Sequence, residues 1–355
     1  MTKKILFVVG AALLLSGCTI KLPATPLTGG GAASVWRSAD GGDTFDPKVK
    51  VEEKRTIASA DILSLSIHPT NSNIIYIGTL SSGLFRTRDG GEVWEPIVFP
   101  PTKNYGLAVD RTNGDRIYAT GVYEDVGKVY RSDDAGANWK EVYTEPGKGT
   151  VITSLAIHPT MPNILYAGTS GGVVIKSLDG GETWRNAVAA KGPVTQIFFD
   201  RQTPDIVLLV VFEQGTMTSR DRGATWSDNT SKFQTATPGD TKVKPQGILS
   251  VAEDPSFSGV FYGSAKNGLF RTSDYGQNWQ SVDIIESSKN FPIRAIAVNP
   301  KNSNEISYAS GQAFYKSNDG GVKWATSQLS TNRGVSVIAY DPENPGIIYL
   351  TVRKF

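Results

Sequence analysis

One eight-residue pattern, Ser/Thr-x-Asp-x-Gly-x-x-Trp, recurs seven times in this chain and limits its folds more than any other feature. The aspartates are Asp40, Asp89, Asp134, Asp179, Asp221, Asp274 and Asp319. A hydroxyl stands two residues before each (Ser38, Thr87, Ser132, Ser177, Ser219, Thr272, Ser317). A glycine stands two residues after each (Gly42, Gly91, Gly136, Gly181, Gly223, Gly276, Gly321). Five residues after each comes a large aromatic, Phe45 in the first copy and Trp94, Trp139, Trp184, Trp226, Trp279 and Trp324 in the others. Successive aspartates are 49, 45, 45, 42, 53 and 45 residues apart. A period of this size marks a repeat architecture, one supersecondary unit stacked on copies of itself.

The chemistry of the unit is that of a tight hairpin. Asp, Ser and Thr side chains bond nearby backbone N–H groups in turns, and Gly supplies the positive φ that a short hairpin requires. The aromatic then enters the next strand, where a large ring buries roughly 150–250 Å². Seven carboxylates each engaged by their own turn are expected to be structural, not catalytic. The pattern resembles the Asp-box, or bacterial neuraminidase repeat, across nearly the whole chain after residue 33.

Each copy is preceded by two strand-like segments. The first segments begin at Ile62, Tyr105, Ile152, Val194, Ile248, Ile293 and Val335. The second segments are Asn73–Thr79, Asp115–Gly121, Asn163–Thr169, Asp205–Val211, Gly259–Ala265, Asn304–Ser310 and Gly346–Val352. The first Asp-box has no pair before it, and the seventh pair, Val335 to Val352, has no Asp-box after it. They complete each other. The expected fold is all-β: a seven-bladed β-propeller of four-stranded blades, with the closing blade shared between N-terminal and C-terminal strands. Ring closure also removes the exposed edge that an open array would leave.

The start of the chain reads as an export signal. Lys3 and Lys4 precede the apolar run Ile5 to Leu15, which suits a signal-peptide core and is too short for a membrane span. Leu15-Ser16-Gly17-Cys18 resembles the lipobox of bacterial lipoproteins. That resemblance implies lipid attachment at Cys18 and cleavage before it, hence an extracytoplasmic protein anchored to a bacterial cell envelope. Residues 19–33, with Pro23, Pro26 and Gly29 to Gly31, read as a flexible tether. The expected organisation is a signal peptide over 1–17, lipidated Cys18 and tether over 18–33, and one propeller over 34–355.

Composition excludes several classes. The chain has 36 Lys and Arg against 34 Asp and Glu, and the two signs balance once Lys3 and Lys4 are removed. Nucleic-acid binding, which needs a concentrated basic surface, is therefore not expected. Cys18 is the single cysteine, so no intrachain disulfide forms. Two histidines leave little for a zinc site or a Ser–His–Asp triad, and no metal or cofactor is expected. His68 and His158 occupy one repeat position, filled elsewhere by Asp254, Asn299 and Asp341, which marks a turn and not a catalytic group. The recurrent base before the hydroxyl (Arg37, Arg86, Arg131, Lys176, Arg271, Lys316) reads as a solvated strand position.

A binding site is expected on the face opposite the Asp-boxes, from loops between blades and between second and third strands. Its candidate residues are Tyr123, Glu124, Asp125, Glu213, Lys266, Arg294 and Arg353. Glu124 and Asp125 are the nearest approach to paired carboxylates, but neighbours on one loop rarely flank a single bond as glycoside hydrolysis requires.

Three families share this repeat. Sialidases are six-bladed and carry a Phe-Arg-Ile-Pro motif, whereas this chain has Phe291-Pro292-Ile293-Arg294. Xyloglucanase-type enzymes use two such propellers with catalytic aspartates across the cleft between them. The third group, photosystem II stability/assembly-factor-like and sortilin-type propellers, binds polypeptides without catalysis, and a single seven-bladed propeller most resembles it. The reading from sequence is a monomeric, lipid-anchored, non-catalytic propeller for a protein or peptide partner. The tether enters on the loop face, so that partner is expected near the membrane. The alternative is a cell-surface glycoside hydrolase of the sialidase/xyloglucanase-like class.

Overall fold

A computed structural model describes residues 33–52, 55–233, 246–285 and 292–355. Seven four-stranded antiparallel sheets form a ring: blade 1 over 62–97, blade 2 over 103–144, blade 3 over 152–189, blade 4 over 194–228, blade 5 over 248–282 and blade 6 over 293–328. The seventh takes its inner strands, Gly334–Tyr340 and Ile348–Arg353, from the C-terminal side and its outer strands, Val35–Ser38 and Asp46–Pro47, from the N-terminal side. The innermost strand of each blade packs on that of the next, and Gly334–Tyr340 packs back on Ile62–Ile67. The architecture expected from the repeat is the one observed.

The closing seam is dense. Val35 to Ser38 pair antiparallel with Thr351 to Ile348, and Val352 N donates to Ser34 O at 3.0 Å. Arg333, buried, donates through Nη1 to Ala60 O at 2.7 Å, joining this blade to blade 1.

Blades sandwich one another, so a second strand is covered on both faces. Ile75–Thr79, Leu165–Thr169, Val207–Val211 and Phe261–Ala265 are buried at every position. This explains their near-continuous apolar composition. Gly168 shows how close the layers come, since a Cβ there would lie 2.7 Å from Val194 Cγ1 of the next blade. Most second strands end where the sequence placed the end, but several begin two residues later than expected, at Ile75, Leu165, Val207 and Phe261. The two preceding residues serve the connecting turn, where Asn71 Oδ1, for example, accepts from Asn73 N.

The repeated hairpins are built alike in all seven blades. The hydroxyl donates to the aspartate, at 2.7 Å for Ser38 and Asp40 and 2.9 Å for Ser317 and Asp319. The same hydroxyl oxygen accepts from the glycine N–H two residues beyond, and the aspartate accepts from the backbone four residues on, as in Gly42 N to Ser38 Oγ and Thr44 N to Asp40 Oδ1. In Asp134, Asp179 and Asp221 these bonds, led by the side chains of Asn138, Thr183 and Thr225, hold the carboxyl down to about 2. The residue after each aspartate has a positive φ, including Ala135, Arg222 and Tyr275. The hairpin therefore imposes a left-handed turn even where glycine is absent.

Three of the recurrent bases bond the next blade and are not solvated strand residues. Arg86 Nη1 donates to Ala135 O at 2.8 Å, Arg131 Nη1 to Gly180 O at 3.4 Å and Lys176 Nζ to Arg222 O at 2.5 Å. In each case the acceptor is the residue after the aspartate in the next blade. Tyrosines reinforce the joint, with Tyr118 Oη donating to Gly180 O and Tyr166 Oη to Arg222 O. These cations are inter-blade struts whose acceptors a single repeat cannot reveal.

The ring aromatics differ in depth. Trp94 and Trp279 are fully buried, whereas Trp139, Trp184, Trp226, Trp324 and Phe45 are half-buried. The segment before blade 1 covers Trp94, with Lys48 O accepting from its Nε1 at 2.9 Å. A short helix, Thr230–Phe233, covers Trp279 by setting the Phe233 ring edge-on at 5.1 Å.

Candidate functional site

A cavity of about 800 Å³ lies at the centre of the ring, walled by the innermost strands and the turns that follow them. The ring has two faces. The motif face carries the repeated hairpins and the turns between first and second strands. The loop face carries the connections between blades and the hairpins between second and third strands.

On the loop face, four of the residues expected from sequence come together with three that were not expected. Arg294 and Arg353 clasp the Phe355 ring, their guanidinium carbons 4.1 and 4.5 Å from its centroid. Burial, then the like charge of Arg294, lowers the Arg353 guanidinium, and Asp61 opposes this. Burial also lowers Arg294, against the opposing charge of Glu213. Glu213, exposed in a turn with φ 57°, pairs with Lys266 Nζ at 2.7 Å. Asp61 pairs with Arg333 Nη1 at 3.3 Å and accepts from Lys354 N at 2.7 Å. The result is a mouth where two arginines lie against one aromatic ring and Asp61 and Glu213 supply the opposite charge.

Tyr123, Glu124 and Asp125 do not join it. Glu124 and Asp125 have φ of 54° and 62° and form the two-residue turn between Ile117–Tyr123 and Val126–Ser132. Tyr123 is exposed, with Lys128 Nζ 5.6 Å from its centroid. Among the described residues, no hydrogen bond or ion pair ties these three to the Arg294–Arg353 cluster.

The histidine slot is a cap in every blade. His68, Asp110, His158, Asp200, Asp254, Asn299 and Asp341 each accept the N–H two residues on. His158 is buried against Phe199, and that burial lowers its imidazole. Among the described residues, no group of three or more His, Cys, Asp and Glu could hold a metal ion.

The motif face carries a group that sequence reading missed. Glu253, with its side chain 8 % exposed, lines the cavity beside Arg201, whose Nε is 3.1 Å from Glu253 Oε2 and whose backbone N donates to Oε1 at 2.6 Å. Burial pushes the Glu253 carboxyl up to about 7, and the bonds and charge of Arg201 only partly oppose it. An acid that holds its proton more tightly when folded costs no stability below its unfolded value of 4.5, and an increasing amount as pH rises from there to about 7. Glu253→Gln is therefore expected to flatten the pH dependence of stability over that interval. At pH 8 it should stabilise the chain by about 2–3 kcal/mol, as urea unfolding at pH 4.5 and 8 will show. Equal effects at both pH values would count against this.

Comparison with known proteins adds relatives to this geometry. The family model described as Sortilin, neurotensin receptor 3, matches residues 127–256. Xyloglucanase Xgh74A of Acetivibrio thermocellus is 25% identical over 311 residues, which cover 72% of this chain and 37% of that protein. The oligoxyloglucan-reducing end-specific xyloglucanase of Emericella nidulans is 26% identical over 338 residues, covering 77% and 41%. The match thus spans about two fifths of the length of these two relatives. Among solved structures, the GH74 xyloglucanase from Xanthomonas campestris superposes with a TM-score of 0.69 at 16% identity, over 82% of this chain and 51% of that one. YCF48 bound to D1 peptide superposes with a TM-score of 0.62 at 17% identity, over 84% and 93%. The two structural likenesses show the fold, and the resemblance to sortilin-type and assembly-factor propellers holds at that level. The expectation of a non-catalytic, protein-binding scaffold is corrected by the curated relatives, which are named xyloglucanases. A propeller fold serves enzymes and binders alike, so a reading from architecture alone had no means of separating them. What the chain is similar to, over about three quarters of its length, is one part of a xyloglucan-cleaving enzyme.

Proposed function

We propose that this propeller belongs to the glycoside hydrolase class and acts on a β-linked glucan laid across its loop face. The observation that carries the reading is the match of about three quarters of the chain to proteins named xyloglucanases. The geometry is compatible with it. Sugar rings present an apolar face to aromatic side chains and hydroxyls to charged ones, and the mouth offers the Phe355 ring among Asp61, Glu213, Arg294 and Arg353. Hydrolysis uses two carboxyl groups across the scissile bond. One protonates the leaving oxygen, and the other activates water or attacks the sugar carbon. In this reading the loop face supplies both carboxyl groups, Asp61 and Glu213.

The test uses the purified full-length chain with tamarind-type xyloglucan and, for comparison, unbranched β-glucan. Retardation of the protein in xyloglucan-containing gels and release of reducing ends are expected. Asp61→Asn with Glu213→Gln should lower release by about 100-fold or more. No retardation and no reducing ends above a boiled control would overturn the proposal.

We further infer that the chain is exported and held at a bacterial membrane through a lipid on Cys18. That residue lies outside the described residues, and the reading rests on the lipobox-like Leu15-Ser16-Gly17-Cys18. Among the described residues, no helix is long and apolar enough to cross a membrane. Cys18→Ser is expected to move the protein from the membrane fraction to the soluble fraction. Equal membrane retention of variant and wild type would sink the anchor.

A further inference from the structure

The motif-face mouth breaks the repeat in three places, and the breaks converge. Just before the cap residue, six blades place Ile67, Val109, Ile157, Phe199, Val298 and Tyr340, while blade 5 places Glu253. Just after the cap, five blades place proline and two place Arg111 and Arg201. Scattered substitutions would fall on different blades without meeting. Here Arg111, Arg201 and Glu253 line one cavity: burial, then the like charge of Arg201, lowers the Arg111 guanidinium, and Glu253 opposes that.

Their pairing is incomplete. Glu253 takes the Nε and backbone N–H of Arg201. The terminal guanidinium nitrogens of Arg201 are left without a protein acceptor among the described residues. Arg111, exposed at the cavity, has no hydrogen bond or ion pair there. A guanidinium presents a planar fork of donors that fits an oxyanion bidentately.

We propose that Arg111 and Arg201 form a binding site for a small oxyanion, a carboxylate or a phosphate, at the motif-face mouth of the cavity. Glu253 is the competitor that takes Arg201 when the site is empty. The apolar ring above it, from Ile67 round to Tyr340, would receive a short hydrocarbon tail on a carboxylate ligand. The site lies on the face opposite the one assigned to glucan and stands independently of that assignment.

Isothermal titration calorimetry with the full-length protein tests this, using inorganic phosphate and hexanoate as probes and sodium chloride at matched ionic strength as reference. Saturable binding of one probe above the chloride reference is expected; phosphate alone assigns a phosphate site, and hexanoate alone assigns a carboxylate with an apolar tail. Arg111→Ala should weaken binding by about tenfold or more. Its melting temperature without anion should be unchanged, because Arg111 bonds nothing in the protein. Glu253→Gln should tighten binding by freeing Arg201, which gives a second reading of the opposite sign. Binding indistinguishable from chloride, or equal in wild type and Arg111→Ala, would overturn the site.

Discussion

Removing residues 334–355 is expected to abolish cooperative folding of the ring, not merely to lower its stability. The deletion takes out Gly334–Tyr340 and Ile348–Arg353, the inner strands of the closing blade. Val335, Ile338, Ile348, Leu350 and Val352 are all buried there. At roughly 1.5–3 kcal/mol for each buried side chain, their loss is worth about 8–15 kcal/mol, as much as the whole stability of a typical domain. Val35–Ser38 would lose its partner strand, and the flank of blade 1 that holds Ile62 would face water. Exposed strand edges beside apolar surface recruit other chains. Size-exclusion chromatography should show oligomers, and calorimetry should show no sharp transition. A monomer with the wild-type transition would mean that the ring does not depend on its seam.

The second large effect separates tryptophans that the sequence pattern treats as equal. Trp94→Ala is expected to cost about 3–5 kcal/mol, as large buried aromatics do when truncated. The ring is completely buried among Val51, Ile57, Ile62 and Tyr349, and its Nε1 donates to Lys48 O. Trp184→Ala should cost only about 1–2 kcal/mol, because half-burial leaves less apolar area to lose. Trp184 Nε1 donates to Val142 O at 3.1 Å and Gly181 O at 3.0 Å, and the ring meets Tyr143 at 5.7 Å, yet water reaches its outer edge. Scanning calorimetry should show a drop of roughly 6–10 °C for the first variant and of a few degrees for the second. Equal drops would mean that the covering segments contribute nothing.

Much of the fold was legible because every unit carries its own instructions. A hydroxyl, an aspartate and a glycine at fixed offsets suffice to write a hairpin, and the hydrogen bonds involved span at most four residues. Blade number and the shared closing blade followed from the unmatched half-units at the two ends. The ends of the second strands were readable in the same way, because Thr79, Thr169, Val211 and Ala265 each stop at a turn.

Interactions between blades were not legible. Arg86 and Lys176 have the look of solvent-facing strand residues until the next blade brings a turn carbonyl to them. Four of the seven loop-face mouth residues were found from charge and position, as Glu213, Lys266, Arg294 and Arg353. Asp61, Arg333 and Phe355 were not, since Asp61 belongs to blade 1 and the other two to the closing blade, and closure of the ring is what brings these blades together. Glu253 and the two arginines left a signal that could have been read, an acid and two bases in slots otherwise apolar or proline. The sequence by itself determined how each blade turns and how many blades there are, because those choices are made by neighbours along the chain. Which cations are struts, which tryptophans are covered and which charges share a cavity mouth was decided by the tertiary structure. Those depend on groups some forty or more residues apart, which only closure of the ring brings within reach of one another.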